Sequence, residues 1–260
     1  MKNRLVVLGG GESGVGAAVL AKKQGYEVFL SDCGIIQPQA KALLNEHGVE
    51  FEEGIHSLPL IMTAEEVVKS PGIPDTVTVV EDLNKAGIPV ISEIEFAGRY
   101  TDARKICITG SNGKTTTSSL IYYLLKNAGL NVGLAGNVGQ SFAYQVATQN
   151  YDIYVLELSS FQLEGMYDFK ADIAILLNIT PDHLDRYHHD LQEYVRAKFR
   201  ITQNMAEDDC FIFCRDDEIS MDHLSRIVLK AKSLPISQKI AVPQGAYTEG
   251  NLMKVKYGEE

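Results

Sequence analysis

The segment Ile108-Thr109-Gly110-Ser111-Asn112-Gly113-Lys114-Thr115-Thr116 contains, in Gly113-Lys114-Thr115, the residue types that hold a nucleoside triphosphate. A glycine lets backbone amides face phosphate oxygens, a lysine reaches the β and γ phosphates, and a hydroxyl can ligate Mg2+. In the pattern G-x-x-x-x-G-K-[ST] the first position is filled by Ile108, and the nearest glycine is Gly110. This loop points to ATP or GTP. A second phosphate motif stands near the front, where Gly9-Gly10-Gly11-Glu12-Ser13-Gly14 satisfies G-x-G-x-x-G. Its glycines permit a tight turn and close backbone approach, and a following helix would offer free N–H groups to a pyrophosphate. Asp32, ending the next apolar run, can reach a ribose hydroxyl or a base edge. Such a turn either binds a dinucleotide or nucleotide-sugar, or only packs a strand against a helix.

Further reactive types cluster downstream. Glu157 closes the apolar run Tyr151–Leu156 and could hold Mg2+ opposite Thr115, or be a solvated strand-end acid. Asn178-Ile179-Thr180-Pro181-Asp182-His183-Leu184-Asp185 follows another apolar run, and acids beside His183 suit metal or phosphate work. A histidine on a polar loop can equally be just solvated, the plainer reading for His188 and His189. On a helical wheel, Leu191, Tyr194, Val195, Phe199, Ile201 and Thr202 share one arc, with Lys198 near its middle. Lys198 therefore either snorkels to water or is paired, deprotonated or modified, because a lone buried ammonium is costly.

Two successive α/β units position these groups. In the first, strands are expected at Arg4–Leu8, Glu27–Ser31, Glu66–Lys69 and Pro89–Ser92, and helices at Val15–Gln24, Gln37–His47 and Thr78–Ala86. This alternation predicts a parallel sheet with covering helices. After Gly98 the polar stretch Arg99–Arg104 marks a boundary, giving domains at 1–98 and 105–260. The second unit has expected strands near Val132–Ala135, Tyr151–Glu157, Ile173–Leu177 and Asp209–Phe213, with helices at Lys114–Ala128, Phe142–Thr148 and Leu191–Gln203. The fold class is thus a Rossmann-like parallel-sheet domain followed by a P-loop ATPase-like α/β domain. The chain stops where Asn251–Gly258 reads as a strand approaching a turn, so the second domain is expected to be truncated.

Composition narrows the function further. The 260 residues carry a net charge of −10, which argues against nucleic-acid or anionic-membrane partners but leaves local phosphate binding open. No apolar run is long enough for a membrane span. The start Met1–Leu8 resembles a signal peptide until three glycines and Glu12 interrupt it without a cleavage site, so a first strand is the better reading. Four scattered cysteines, Cys33, Cys107, Cys210 and Cys214, do not make a disulfide framework. An alternating strand puts Cys210 and Cys214 on one face, but no second pair completes a zinc site. Reduced thiols and a cytoplasmic location are expected.

Several motifs in register resemble the Mur ligases: Thr109–Thr116, Gly136-Asn137-Val138-Gly139, Leu156-Glu157-Leu158-Ser159-Ser160-Phe161-Gln162-Leu163 and Asn178–Tyr187. The front glycine turn and Lys69-Ser70-Pro71-Gly72-Ile73 are similar too. The wording around Glu157 and Asp182–Tyr187 looks most like the branch that adds D-glutamate to UDP-N-acetylmuramoyl-L-alanine. That resemblance implies ATP-dependent amide-bond formation through an acyl phosphate, with UDP-N-acetylmuramoyl-L-alanine and D-glutamate as small-molecule substrates of a monomer. It implies Ser13, Gly14, Asp32 and Ser70 around the UDP moiety, with Asn137 and His183 approaching the muramoyl part. It also implies Gly110, Asn112, Gly113, Lys114, Thr115 and Thr116 at ATP, and Lys114, His183 and Lys198 in catalysis. Thr115 and Glu157 would bind one Mg2+, and His183 with Lys198, carbamylated in relatives, a second. Cys33 and Gly34 follow Asp32, where relatives often carry a hydroxyl and then a basic residue.

Family members have a third, amino-acid-binding domain, so this chain is expected to bind the UDP substrate without completing ligation. A sister ligase adding another amino acid, or a folylpolyglutamate-type ligase, is the nearest alternative. From other classes stand an NAD-dependent dehydrogenase built on Gly9–Gly14 and a non-catalytic nucleotide-binding module.

Overall fold

The structure, a computed structural model, describes residues 3–258. These divide into two compact units. The first takes in residues up to Asp102 together with Ala135–Tyr151 and Glu164–Phe169, and the second holds Ala103–Leu134, Asp152–Leu163 and the residues from Lys170 onward. The units are therefore not contiguous in sequence, whereas a cut between 98 and 105 assigns both inserted segments to the second domain.

In the first unit the chain runs β1 (Arg4–Leu8), α1 (Glu12–Lys23), β2 (Glu27–Asp32), α2 (Pro38–Glu46), β3 (Glu50–Glu53), α3 (Leu58–Ile61), β4 (Glu66–Lys69), α4 (Thr78–Lys85), β5 (Val90–Ser92) and α5 (Glu93–Gly98). Among the described residues the sheet order is β3-β2-β1-β4-β5, all parallel. Leu5–Leu8 are fully buried because β1 is central and covered on both faces. Val6 and Leu8 join Phe29, Ile61, Val67, Val80 and Leu83 in one core. The chain leaves β1 toward β2 and later returns on its other side as β4, which opens a ligand-binding crevice at the carboxyl ends of these strands.

Helix α1 begins at Glu12 rather than Val15, with Gly11 as its N-cap and the Glu12 charge in the first turn, where the helix dipole favours an acid. A Cβ on Gly14 would stand 1.9 Å from the Gly9 carbonyl oxygen, and one on Gly16 would stand 2.0 Å from Ser141 Oγ. Both glycines exist for close approach. Ser141 caps α7 (Phe142–Thr148), accepting from the Tyr144 N–H. Two carboxylates meet this cap. Glu93 Oε1 accepts from Ser141 Oγ at 2.6 Å and the Ala143 N–H at 2.7 Å, and Glu12 Oε1 accepts from the Ser141 N–H. Glu93 is 2% exposed, its Oε2 has no hydrogen-bond partner, and burial pushes its carboxyl up to about 7. Glu95, also buried, accepts from the N–H groups of Tyr167, Asp168 and Phe169.

The second unit's elements are β6 (Arg104–Thr109), α6 (Lys114–Asn127), β7 (Val132–Gly136), β8 (Ile153–Glu157), α8 (Ser160–Glu164), β9 (Ile173–Leu176), α9 (Leu191–Phe199), β10 (Cys210–Cys214), α10 (Glu218–Leu224), β11 (Lys232–Ser237), β12 (Gly245–Glu249) and β13 (Leu252–Lys256). The strand order among described residues is β13-β12-β11-β10-β9-β6-β8-β7. β12 and β13 form an antiparallel hairpin, while β6 pairs in parallel with β8 and β9. Helix α9 stops at Phe199 and continues as a 3-10 turn, Arg200–Thr202, where a helix to Gln203 is expected. Thr202 Oγ1 donates to the Phe199 carbonyl, a local bond that competes with continued helix. No helix of the described residues is long and apolar enough to cross a membrane.

Candidate functional site

β6 delivers the phosphate loop to the carboxyl edge of the second sheet, and α6 begins directly after it at Lys114. Gly110 (φ 152°) and Gly113 (φ 85°) both adopt backbone geometry that favours glycine. Gly113 is the N-cap of the 14-residue α6 and supplies no side-chain cap, so the first amides of the helix face outward as donors. Lys114 Nζ folds back, donating to the carbonyls of Gly110 (2.9 Å) and Ser111 (3.0 Å). The ammonium thus caps the mouth of its own loop, within reach of an incoming phosphate. Thr115 and Thr116 lie exposed in the first turn.

Glu157 ends β8 and is 1% exposed. Ser118 Oγ, one turn beyond Thr115, stands 3.3 Å from Glu157 Oε2 and 3.2 Å from the Thr115 carbonyl oxygen, sharing its one O–H between them. The carboxylate is therefore held against the start of α6, as a magnesium site built from a hydroxyl, an acid and phosphate oxygens requires. Among the described residues no group of three or more His, Cys, Asp or Glu could hold a metal. A donor set of one hydroxyl and one acid fits Mg2+, which keeps water and phosphate ligands, better than Zn2+.

Lys198 is 2% exposed on α9. It donates to Gly110 O at 2.9 Å, the oxygen Lys114 also uses, and lies 4.6 Å from the centre of the Tyr194 ring. Burial first, and the neighbouring Lys114 charge second, push its ammonium down to about 7. The side chain therefore does not snorkel to water, one of the two readings its place on the wheel left open, and it meets a carbonyl that no spacing shows. A lysine in this state can present a neutral amine near neutral pH.

His183 sits at the tip of the loop after β9, 55% exposed by its side chain and 3.6 Å from Asp182 Oδ2. Its ring lies 5.4 Å from that of Phe161. His183, His188 and His189 all have positive φ, strain that an L residue keeps only when its surroundings hold it. The hydrogen bond between His188 and Glu193 first, and the Glu193 charge second, hold the His188 imidazole above its ordinary range.

In the first unit, Ser13 and Gly14 stand in the first turn of α1, and a Cβ at Gly11 would meet nothing within 4 Å, so that backbone is open to a ligand. The Asp32 carboxylate accepts from the N–H groups of Gly10 and Gly34, tying β2 to the glycine turn. Ser70 Oγ is buried beside Gly9 and Gly14 with no hydrogen-bond partner. A cavity of about 430 Å3 opens at the turn, lined by Gly10, Glu12 and Gln37, and one of about 540 Å3 is lined by Cys33, His56 and Gly72. Asn137 is exposed and belongs to the first unit's 135–151 segment. Ser13, Gly14, Asp32 and Ser70 are thus brought together in one unit, and the Gly110–Thr116 loop, Glu157 and Lys198 in the other.

Sequence reasoning gave no role to Ser118, Ser111 or Tyr194. Ser111 Oγ bonds the Thr180 backbone and lies 3.1 Å from Tyr194 Oη, contacts that only the folded chain creates.

The family model described as the Mur ligase middle domain matches residues 108–255, and the MurD N-terminal domain model matches residues 4–79. The chain is 60% identical over 234 residues to UDP-N-acetylmuramoylalanine--D-glutamate ligase of Bacteroides fragilis, covering 90% of this chain and 53% of that protein. A protein of the same name from Porphyromonas gingivalis is 54% identical over 239 residues, covering 92% and 53%. The chain spans about half the length of the curated relatives it matches. Among solved structures, the UDP-N-acetylmuramate:L-alanyl-gamma-D-glutamyl-meso-diaminopimelate ligase from Neisseria meningitides aligns with TM-score 0.64 at 20% identity, covering 95% of this chain and 83% of that one. That likeness shows a shared fold.

Proposed function

The chain belongs to the Mur ligase family, and from that premise we propose that it carries the UDP-substrate and ATP sites of a cytoplasmic enzyme joining D-glutamate to UDP-N-acetylmuramoyl-L-alanine in peptidoglycan precursor synthesis. The observation that carries this reading is the phosphate loop itself, with Lys114 poised at its mouth and Glu157 held by Ser118 against the start of α6.

In this reading Ser13 and Gly14 take the diphosphate at the start of α1, with Ser70 beneath the turn and Asp32 on the uridine side. The amides from Gly110 to Thr116 and the Lys114 ammonium hold the ATP phosphates. Lys114 leaves the carbonyls of Gly110 and Ser111 for the γ-phosphate as the alanyl carboxylate attacks it. The products of that step are an acyl phosphate and ADP. The D-glutamate amine then adds to the acyl carbon and gives up a proton to solvent, and inorganic phosphate departs from the tetrahedral adduct to leave the amide. Thr115 and Glu157 would hold one Mg2+, and His183 with Lys198, if carbamylated as the family resemblance implies, would hold a second. Bound there, the ions would neutralise charge on the transferring phosphoryl group.

Equilibrium dialysis of MgATP against the chain and its Lys114→Ala variant tests the reading. Binding by the parent chain and loss of at least about tenfold in affinity in the variant are expected, since charge-assisted phosphate contacts contribute about 1.5–3 kcal/mol. Equal binding by both would show that the loop is not the nucleotide site.

A further inference from the structure

Parallel pairing between β6 and β9 ends at Thr109 and Leu176, yet the two chains do not separate there. The Leu177 N–H donates to the Thr109 carbonyl, and the Ser111 N–H donates to the Asn178 carbonyl at 2.9 Å. A Cβ on Gly110 would stand 3.0 Å from Leu177 Cβ and 3.3 Å from both the nitrogen and the oxygen of Asn178, so the loop lies against this backbone. At the next position the backbone partner is replaced by a side chain. Asn178 Oδ1 accepts from the Asn112 N–H at 2.9 Å, and Asn178 Nδ2 donates to the Asn112 carbonyl at 3.1 Å.

A primary amide carries the donor and acceptor of a peptide group, so it can satisfy both main-chain groups of one residue at once. Aspartate supplies only acceptors, and an aliphatic side chain supplies neither. We propose that Asn178 is a positioning residue for the phosphate loop, its amide extending the β6–β9 ladder by one pair and fixing the peptide groups around Asn112 so that the loop amides converge on phosphate. The inference rests on reading Gly110–Thr116 as the triphosphate site. It adds a residue outside that loop which acts on nucleotide affinity through the backbone of Asn112. The neighbouring bonds differ in kind. Thr180 Oγ1 accepts only from the Asn112 side chain at 3.2 Å and leaves the loop backbone untouched.

Titration calorimetry with MgATP and with UDP-N-acetylmuramoyl-L-alanine, alongside ligand-free thermal melts, compares the whole chain with N178A and T180V. Loss of the paired bonds weakens MgATP by about tenfold in N178A. T180V stays within about twofold of the parent, and in N178A the UDP-substrate affinity is unchanged. MgATP affinity in N178A equal to the parent would overturn the proposal. So would a parallel loss of UDP-substrate affinity and ligand-free Tm, because that pattern belongs to general destabilisation. Absence of MgATP binding by the parent chain would remove the triphosphate reading and this inference with it, an outcome distinct from binding that ignores residue 178.

Discussion

Glu93 provides a pH-dependent stability term whose sign and size follow from its surroundings. It is buried, one carboxylate oxygen takes two hydrogen bonds at the cap of α7, and the other takes none. Burial raises its carboxyl from 4.5 to about 7, with the Glu12 charge adding to the rise and the bonds from Ser141 and Ala143 opposing it. The folded chain therefore keeps a proton that the unfolded chain releases across this interval. The stability it contributes is complete below about pH 4.5, declines as pH rises toward 7, and is absent above that. The interval corresponds to about 3 kcal/mol between the two protonation states. Glu93→Gln fixes the neutral form and keeps the carbonyl that accepts from Ser141 and Ala143. Its added N–H group meets no acceptor where Oε2 now stands, a pH-independent cost of about 1–3 kcal/mol. The useful quantity is thus the difference in unfolding free energy between Glu93→Gln and parent, measured by urea titration from about pH 4.5 to 8.5. It should shift by about 3 kcal/mol in favour of the variant as pH rises. A difference flat to within about 0.5 kcal/mol would refute the assignment of this pH dependence to Glu93.

Other outcomes follow from the same geometry. Gly14→Ala places a methyl 1.9 Å from the Gly9 carbonyl oxygen and should destabilise by more than about 3 kcal/mol in urea unfolding, while Gly11→Ala, with open space and φ −78°, should cost only the change of N-cap, no more than about 1 kcal/mol. Lys198 has its folded pKa depressed from 10.5 to about 7, so its unfolded form holds a proton that the folded form has released between those values. Stability should therefore rise from about pH 7 to 10 in the parent, and Lys198→Met should flatten that rise when unfolding is followed at both ends of the range.

Much of the fold was legible because its signals are local. β1 is a run of apolar residues followed by glycines, and α6 opens at Gly113-Lys114-Thr115 with the glycine as its N-cap, so residue type and position coincide. Elements lacking such signals went unread. β3 is Glu-Phe-Glu-Glu, an acidic edge strand with one apolar residue, and β11 contains Pro235. Short helices α5 and α10 are set by the caps Ser92 and Asp217 more than by apolar periodicity. The grouping of α7 with the first unit depends on Gly16, Glu12 and Glu93, each far from it in sequence. In the candidate site, Lys114 could be read from its motif, while Glu157 and Lys198 each stood open between a ligand role and a plainer one. Ser118 and Asn178 matter through partners 39 and 66 residues away, and no spacing rule reveals that.

The central claim, a UDP-substrate site and a triphosphate site on one chain, is tested most directly by thermal melts with UDP-N-acetylmuramoyl-L-alanine, MgATP or NADH, each at about 100 times its expected dissociation constant. A ligand that binds the folded state adds about 2.7 kcal/mol there. The account predicts upward shifts with the UDP substrate and with MgATP, and none with NADH. A shift with NADH alone would contradict it and make the glycine turn a dinucleotide site of another kind.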